Sequence, residues 1–165
     1  MNYYFGFSVA GLLVFLLPML PNLLYFRFFA PKADKEKEKT EENRPAGHLL
    51  EWLEHGCQAL FVAMLIFIKN KSAENAQGFP ELFTLWTALM LLLLVSYNLL
   101  WVFYFKGSRK KPLLLAMSLL PVAYFILGEI GLGNYPALVP TILFGAAHLL
   151  ISLTDTKKHE TAQGD

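Results

Sequence analysis

The sequence has one cysteine, Cys57, so it can form no intrachain disulfide and no cysteine metal cluster. Charge is also scarce, at 16% of residues against about a quarter in an ordinary soluble domain. The formal net charge is +1, and no dense basic patch would draw a nucleic acid. The N-terminal Met-Asn-Tyr-Tyr lacks the basic segment that opens a cleavable secretory signal. Neither end carries a lipidation signal. No residue pattern names a cofactor, and no internal repeat is visible.

Long apolar runs are abundant. Charged residues are missing from Met1–Phe26, Leu82–Phe105, Pro112–Gly128 and Ile130–Thr154. A helix spanning a bilayer needs about 20 mostly apolar residues, whereas buried runs in soluble proteins are shorter. The expected fold is therefore an all-α, five-helix transmembrane bundle. Its helices are expected at residues 4–29, 47–68, 80–105, 112–130 and 136–154. Residues 30–46 form a connector in which lysine alternates with acid, a composition expected to be mobile and solvated. Residues 155–165 form a short tail. Pro80, Pro112 and Pro136 stand where a first helical turn tolerates proline.

The basic residues set an expected orientation. Arg27, Lys32, Lys35, Lys37, Lys39 and Arg44 follow the first span. Lys106, Arg109, Lys110 and Lys111 follow the third, and Lys157 and Lys158 follow the fifth. Only Lys69 and Lys71 lie between the second and third spans. Lysine and arginine collect on the cytoplasmic side, while acidic residues contribute little to the bias. An N-terminus outside and a C-terminus in the cytoplasm of a cell-membrane protein satisfy that rule. Tyr3, Tyr4, Phe83, Trp86 and Tyr135 then fall near the outer interface, and Tyr25, Trp52, Trp101 and Tyr104 near the inner one. Amphipathic rings favour those depths. Asn70-Lys-Ser72 matches a glycosylation sequon, but it hugs the membrane and carries little weight.

Polar residues within the spans supply the candidate site. An ionisable group in the bilayer is costly and marks function by default. The second span carries His48, Glu51, Glu54, His55 and Gln58 within an arc of about 120° at the 3.6-residue period. With straight helices, Asn22, Asn98 and His148 fall at a similar depth, roughly 8–12 Å from the cytoplasmic ends of their spans. The candidates for ligand binding or proton relay are Glu51, Glu54, His55, Gln58, Asn22, Asn98 and His148. Glu51 is near enough to the boundary to snorkel or to pair with Arg27. Thr141, Gly145, His148 and Ser152 share one face of the last span, where Gly145 would allow close helix approach. Pro18, Pro21 and Pro121 free backbone carbonyls that neighbours or water must satisfy. Glu129, beside Gly128 and Gly131, is expected to be hydrated at the outer surface.

These residues suit a cytoplasm-facing pocket that binds or passes a small polar solute or a lipid headgroup, as in a receptor, sensor or carrier. Two alternatives stand beside it. One is an intramembrane enzyme using Glu and His as acid and base or as metal ligands, although Glu51-x-x-Glu54-His55 is no known metal signature. The other is a non-catalytic subunit of a membrane complex. The partners implied are the lipid bilayer, a small polar ligand or lipid, and a second copy or another membrane subunit.

Overall fold

The computed structural model describes residues 2–28, 45–74, 80–108 and 110–162. Most of the expected connector, 30–46, lies outside them; its last two residues already belong to a helix. Five long helices form the molecule: α1 (Val9–Phe28), α2 (Pro45–Phe67), α3 (Pro80–Phe105), α4 (Lys111–Gly131) and α5 (Tyr135–Ala162). Each contains a stretch of at least 20 residues long and apolar enough to cross a bilayer. The chain is a multi-pass integral membrane protein. Its exterior agrees, since Leu85, Leu91, Leu92, Val95 and Leu99 of α3 are exposed along one helix. Exposed leucines cost nothing against lipid, because lipid tails are as apolar as leucine.

The helices run alternately up and down. The α2 helix packs most extensively against α5, and α4 packs between α3 and α5. The α1 helix leans on α2, α3 and α4. Phe61 lies at the centre, with ring centroids 5.1 Å from Phe125 and 5.3 Å from Phe144. Val14, Cys57, Leu65, Met90 and Tyr124 complete this core. Without a water-driven hydrophobic force between helices, such packing and interhelical hydrogen bonds hold the bundle.

The N-terminus corrects the expectation of a helix from residue 4. Tyr3–Phe5 is a strand, β1, paired antiparallel with β2 (Ile68–Asn70), in the register Tyr3 to Asn70, Tyr4 to Lys69 and Phe5 to Ile68. Gly6 and Ser8 extend the contact by donating backbone hydrogen bonds to Phe67 and Ile66. Aromatic residues suit a strand better than a helix, and Phe5 stacks on Phe67 at 5.6 Å. Ser8 then starts α1, its hydroxyl accepting the Gly11 N–H at 3.0 Å, as an N-cap does. A single helical turn, Lys71–Glu74, follows β2. The two strands mark this end of the bundle, the strand end.

The last helix also outruns its expected limit of Thr154 and continues to Ala162. Asp155–Ala162 contains no glycine or proline, so no residue there stops the helix on leaving the apolar span. Two turns use left-handed glycines, Gly107 at φ 91° and Gly133 at φ 65°, a conformation that costs glycine little.

Candidate functional site

The α2–α5 contact brings two of the sequence candidates together. His148 Nδ1 lies 2.5 Å from Glu54 Oε1, a hydrogen bond between side chains 94 positions apart. Glu54 lies six residues inside the apolar span that begins at His48, and His148 lies six residues before its span ends at Thr154. Both are thus about 9 Å within their spans, at the end opposite the strands. Glu54 is 14% exposed and His148 34%, so the carboxylate is sheltered and the imidazole partly exposed. The imidazole also stacks on Phe144 one turn earlier, with centroids 5.4 Å apart. Ser152, one turn further along α5, meets Ser118 of α4 at 2.7 Å between hydroxyls.

Glycine makes part of this possible. A Cβ on Gly145 would come within 2.5 Å of Val122 Cγ1, so only glycine lets α4 and α5 approach this closely. The small-residue face read from the sequence is therefore an interface.

The remaining candidates go elsewhere. Glu51 faces His48 at 3.7 Å, one turn away on its own helix, with both side chains well exposed. It does not take Arg27, whose guanidinium lies over Phe28. His55 is exposed and Gln58 half-buried. Asn98 is exposed and turns its amide back to the Leu94 carbonyl of its own helix, at 2.8 Å. Asn22 donates to the Tyr97 hydroxyl at 3.1 Å, joining α1 to α3. The common polar layer thus resolves into one cross-helix acid–imidazole pair, one packing hydrogen bond and several outward-facing groups. Straight-helix depths fix the level of a side chain but not its azimuth, and azimuth decides whether two groups meet.

Glu129 corrects the sequence reading more sharply. It is not hydrated: its exposure is 0%. Thr141 of α5 lies against it, with Oγ1 2.5 Å from Oε1. The signal was present in the sequence. A helical hairpin reversing around residues 132–134 sets positions 129 and 141 side by side, and Thr141 already belonged to the packing face of its helix. Asn134 was also missed. It is 2% exposed, and its amide donates to the Met64 and Ile68 carbonyls, capping the end of α2.

A cavity of about 330 Å³ lies at the strand end, lined by Phe7, Ser8, Val9, Leu65, Lys69 and Asn134 among others. It includes none of the seven candidates. Asn70 beside it is 5% exposed, and its amide donates to the Gly133 carbonyl at 3.0 Å. The sequon nitrogen is therefore engaged in packing. Among the described residues, no three His, Cys, Asp or Glu side chains gather closely enough to hold a metal ion.

Comparison of the chain with protein-family models, curated proteins and solved structures finds no match.

Proposed function

We propose that this protein is a cell-membrane receptor, sensor or carrier that binds a small cationic or polar solute, or a lipid headgroup, at Glu54 and His148. The hydrogen bond joining these groups across α2 and α5, within the apolar spans, is the observation that carries the reading. Ionisable groups at this depth are expensive to keep and mark ligand or proton sites in membrane proteins. A carboxylate attracts a cationic or hydrogen-bond-donating ligand. An imidazole beside it offers a second hydrogen-bonding nitrogen to the same ligand.

The proposal places this end of the bundle in the cytosol. Lys106, Lys110 and Lys111 border it, and most basic residues of the sequence follow the first, third or fifth span. By the positive-inside bias the strand end, with the N-terminus, lies outside.

The test is thermal unfolding of the protein in lipid nanodiscs with a panel of small ammonium compounds that includes choline and ethanolamine. The expected result is a ligand that raises the melting temperature of the wild type but not of Glu54→Gln or His148→Ala. A panel with no effect on the wild type, or equal effects on all three proteins, counts against the site.

A second reading rests on the same pair. With Nδ1 occupied by Glu54, His148 keeps Nε2 for proton transfer, the arrangement of an oriented general base. Turnover of a substrate abolished by both substitutions would favour it over binding alone.

A further inference from the structure

The contacts of Thr141 contain one hydrogen atom too few. Its Oγ1 lies 2.9 Å from the Ala137 carbonyl and 2.5 Å from Glu129 Oε1. A hydroxyl has a single hydrogen to donate. The Ala137 carbonyl only accepts, so if Thr141 donates there, the hydrogen in the second contact must come from the Glu129 carboxyl.

The opposite assignment fares badly. An ionised Glu129 would receive one hydrogen bond at Oε1. Its Oε2 is buried with no hydrogen-bond partner, and the side chain is 0% exposed. Among the described residues it makes no ion pair. A carboxylate left this way is strongly disfavoured, and such groups take up a proton instead. Two cations stand at this end of the bundle: Lys69, whose ammonium lies over the Tyr4 ring, and Lys71, which is exposed; the long helices packed against α4 add none near Glu129. The only charged residue of α1 is Arg27, at the far end. That of α3 is Glu81, a like charge. On α4 itself Lys111 lies at the opposite terminus. On α5 Tyr135 supplies no positive charge, and the first basic group is His148, two turns beyond Thr141 and paired with Glu54.

We propose that Glu129 is a proton-binding site: a neutral carboxylic acid that donates its hydrogen to Thr141, which donates in turn to the Ala137 carbonyl. The site is independent of the Glu54–His148 pair. It is sealed by close packing, since Gly128 abuts Val14 of α1 and Gly131 abuts the Trp86 ring of α3. Loss of the proton leaves two carboxylate oxygens needing donors where Thr141 supplies one at most. Ionisation therefore requires water or a cation to enter between α4 and α5, or the α4–α5 turn to move. Proton release and opening of this turn are coupled events.

Infrared spectroscopy of the protein in phosphatidylcholine bilayers at neutral pH tests this directly. The wild type is expected to show the carbonyl stretch of a protonated carboxylic acid, shifted downward in D2O. That band is lost in Glu129→Gln and kept in Glu54→Gln. A carboxylate band lost in Glu129→Gln, or an acid band lost in Glu54→Gln alone, overturns the proposal. Should Glu129→Gln fail to fold, Thr141→Val provides the second reading. Removing the acceptor of the Glu129 hydrogen shifts the acid band to higher frequency, whereas Thr141→Ser leaves it in place. An acid band that does not respond to Thr141→Val also overturns the assignment.

Discussion

Asn22 of α1 donates a 3.1 Å hydrogen bond to the Tyr97 hydroxyl of α3. It leaves α1 one residue after the buried Pro21 and three turns beyond Gly11. Tyr97 is 4% exposed, so water does not readily replace a lost partner. Side-chain hydrogen bonds between membrane helices contribute about 0.6 kcal/mol on average and up to about 1.7. A double-mutant cycle of Asn22→Ala and Tyr97→Phe, followed by unfolding in mixed micelles, is expected to give a coupling energy of about 0.5–1.5 kcal/mol. Additive single effects would show that the bond adds nothing to stability.

Gly11 is a point of close backbone approach between α1 and α2. A Cβ there would overlap the Leu65 backbone carbonyl, which no side-chain rotation relieves. Gly11→Ala is expected to destabilise by at least about 1–3 kcal/mol, the usual range for overpacking. Gly56 provides the control, because a Cβ there meets nothing within 4 Å. Gly56→Ala should leave stability unchanged or raise it by up to about 1 kcal/mol. Tryptophan fluorescence during detergent-induced unfolding reports both changes, and equal stability of the two variants would contradict the packing described.

The Glu54–His148 bond should also register in stability without any ligand. Hydrogen bonds to charged groups contribute about 1.5–3 kcal/mol, and the 34% exposure of His148 favours the lower part of that range. Glu54→Gln and His148→Ala are each expected to lower stability by about 1–2 kcal/mol, and the double variant by less than their sum. Asn98→Ala, which removes only a bond to its own helix, should change stability by less than about 0.5 kcal/mol. A loss at Asn98 matching that at Glu54 would remove the distinction drawn between them.

Sidedness can be measured with single cysteines introduced on a Cys57→Ser background. Ser108→Cys, in the turn after α3, is expected to react with a membrane-impermeant maleimide only after the cell is opened. Lys71→Cys, exposed beyond β2, should react in intact cells. The reverse pattern would invert the proposed orientation. Asn70 should carry no glycan even when its loop is extracellular, because its amide is held by Gly133. Glycosidase treatment that changes the gel mobility would show otherwise.

The existence and approximate ends of the five spans were legible in the sequence, because bilayer thickness sets a minimum length of uncharged chain. Prolines 80 and 112 marked helix starts correctly for the local reason that an N-terminal turn needs no hydrogen bond from its first residues. The start of α1 was misplaced because the apolar, aromatic Tyr3–Phe5 reads equally well as the end of a span. Its partner, Ile68–Asn70, is more than sixty residues away, and only folding brings the two together.

The same limit governed the site. Helical period and depth put Glu54 and His148 at one level, and they do meet. By the same reasoning Asn98 belonged beside them, yet it faces outward, and Glu129 belonged in water, yet it is buried. The sequence by itself determined how many times the chain crosses the bilayer and at what height each polar group lies, since both follow from hydropathy and a fixed rise per residue. Only the tertiary structure decided which helix faces look at one another. That depends on how each helix is rotated about its axis, and contacts such as Gly145 on Val122 and Gly11 on Leu65 fix the rotation between residues remote in the chain.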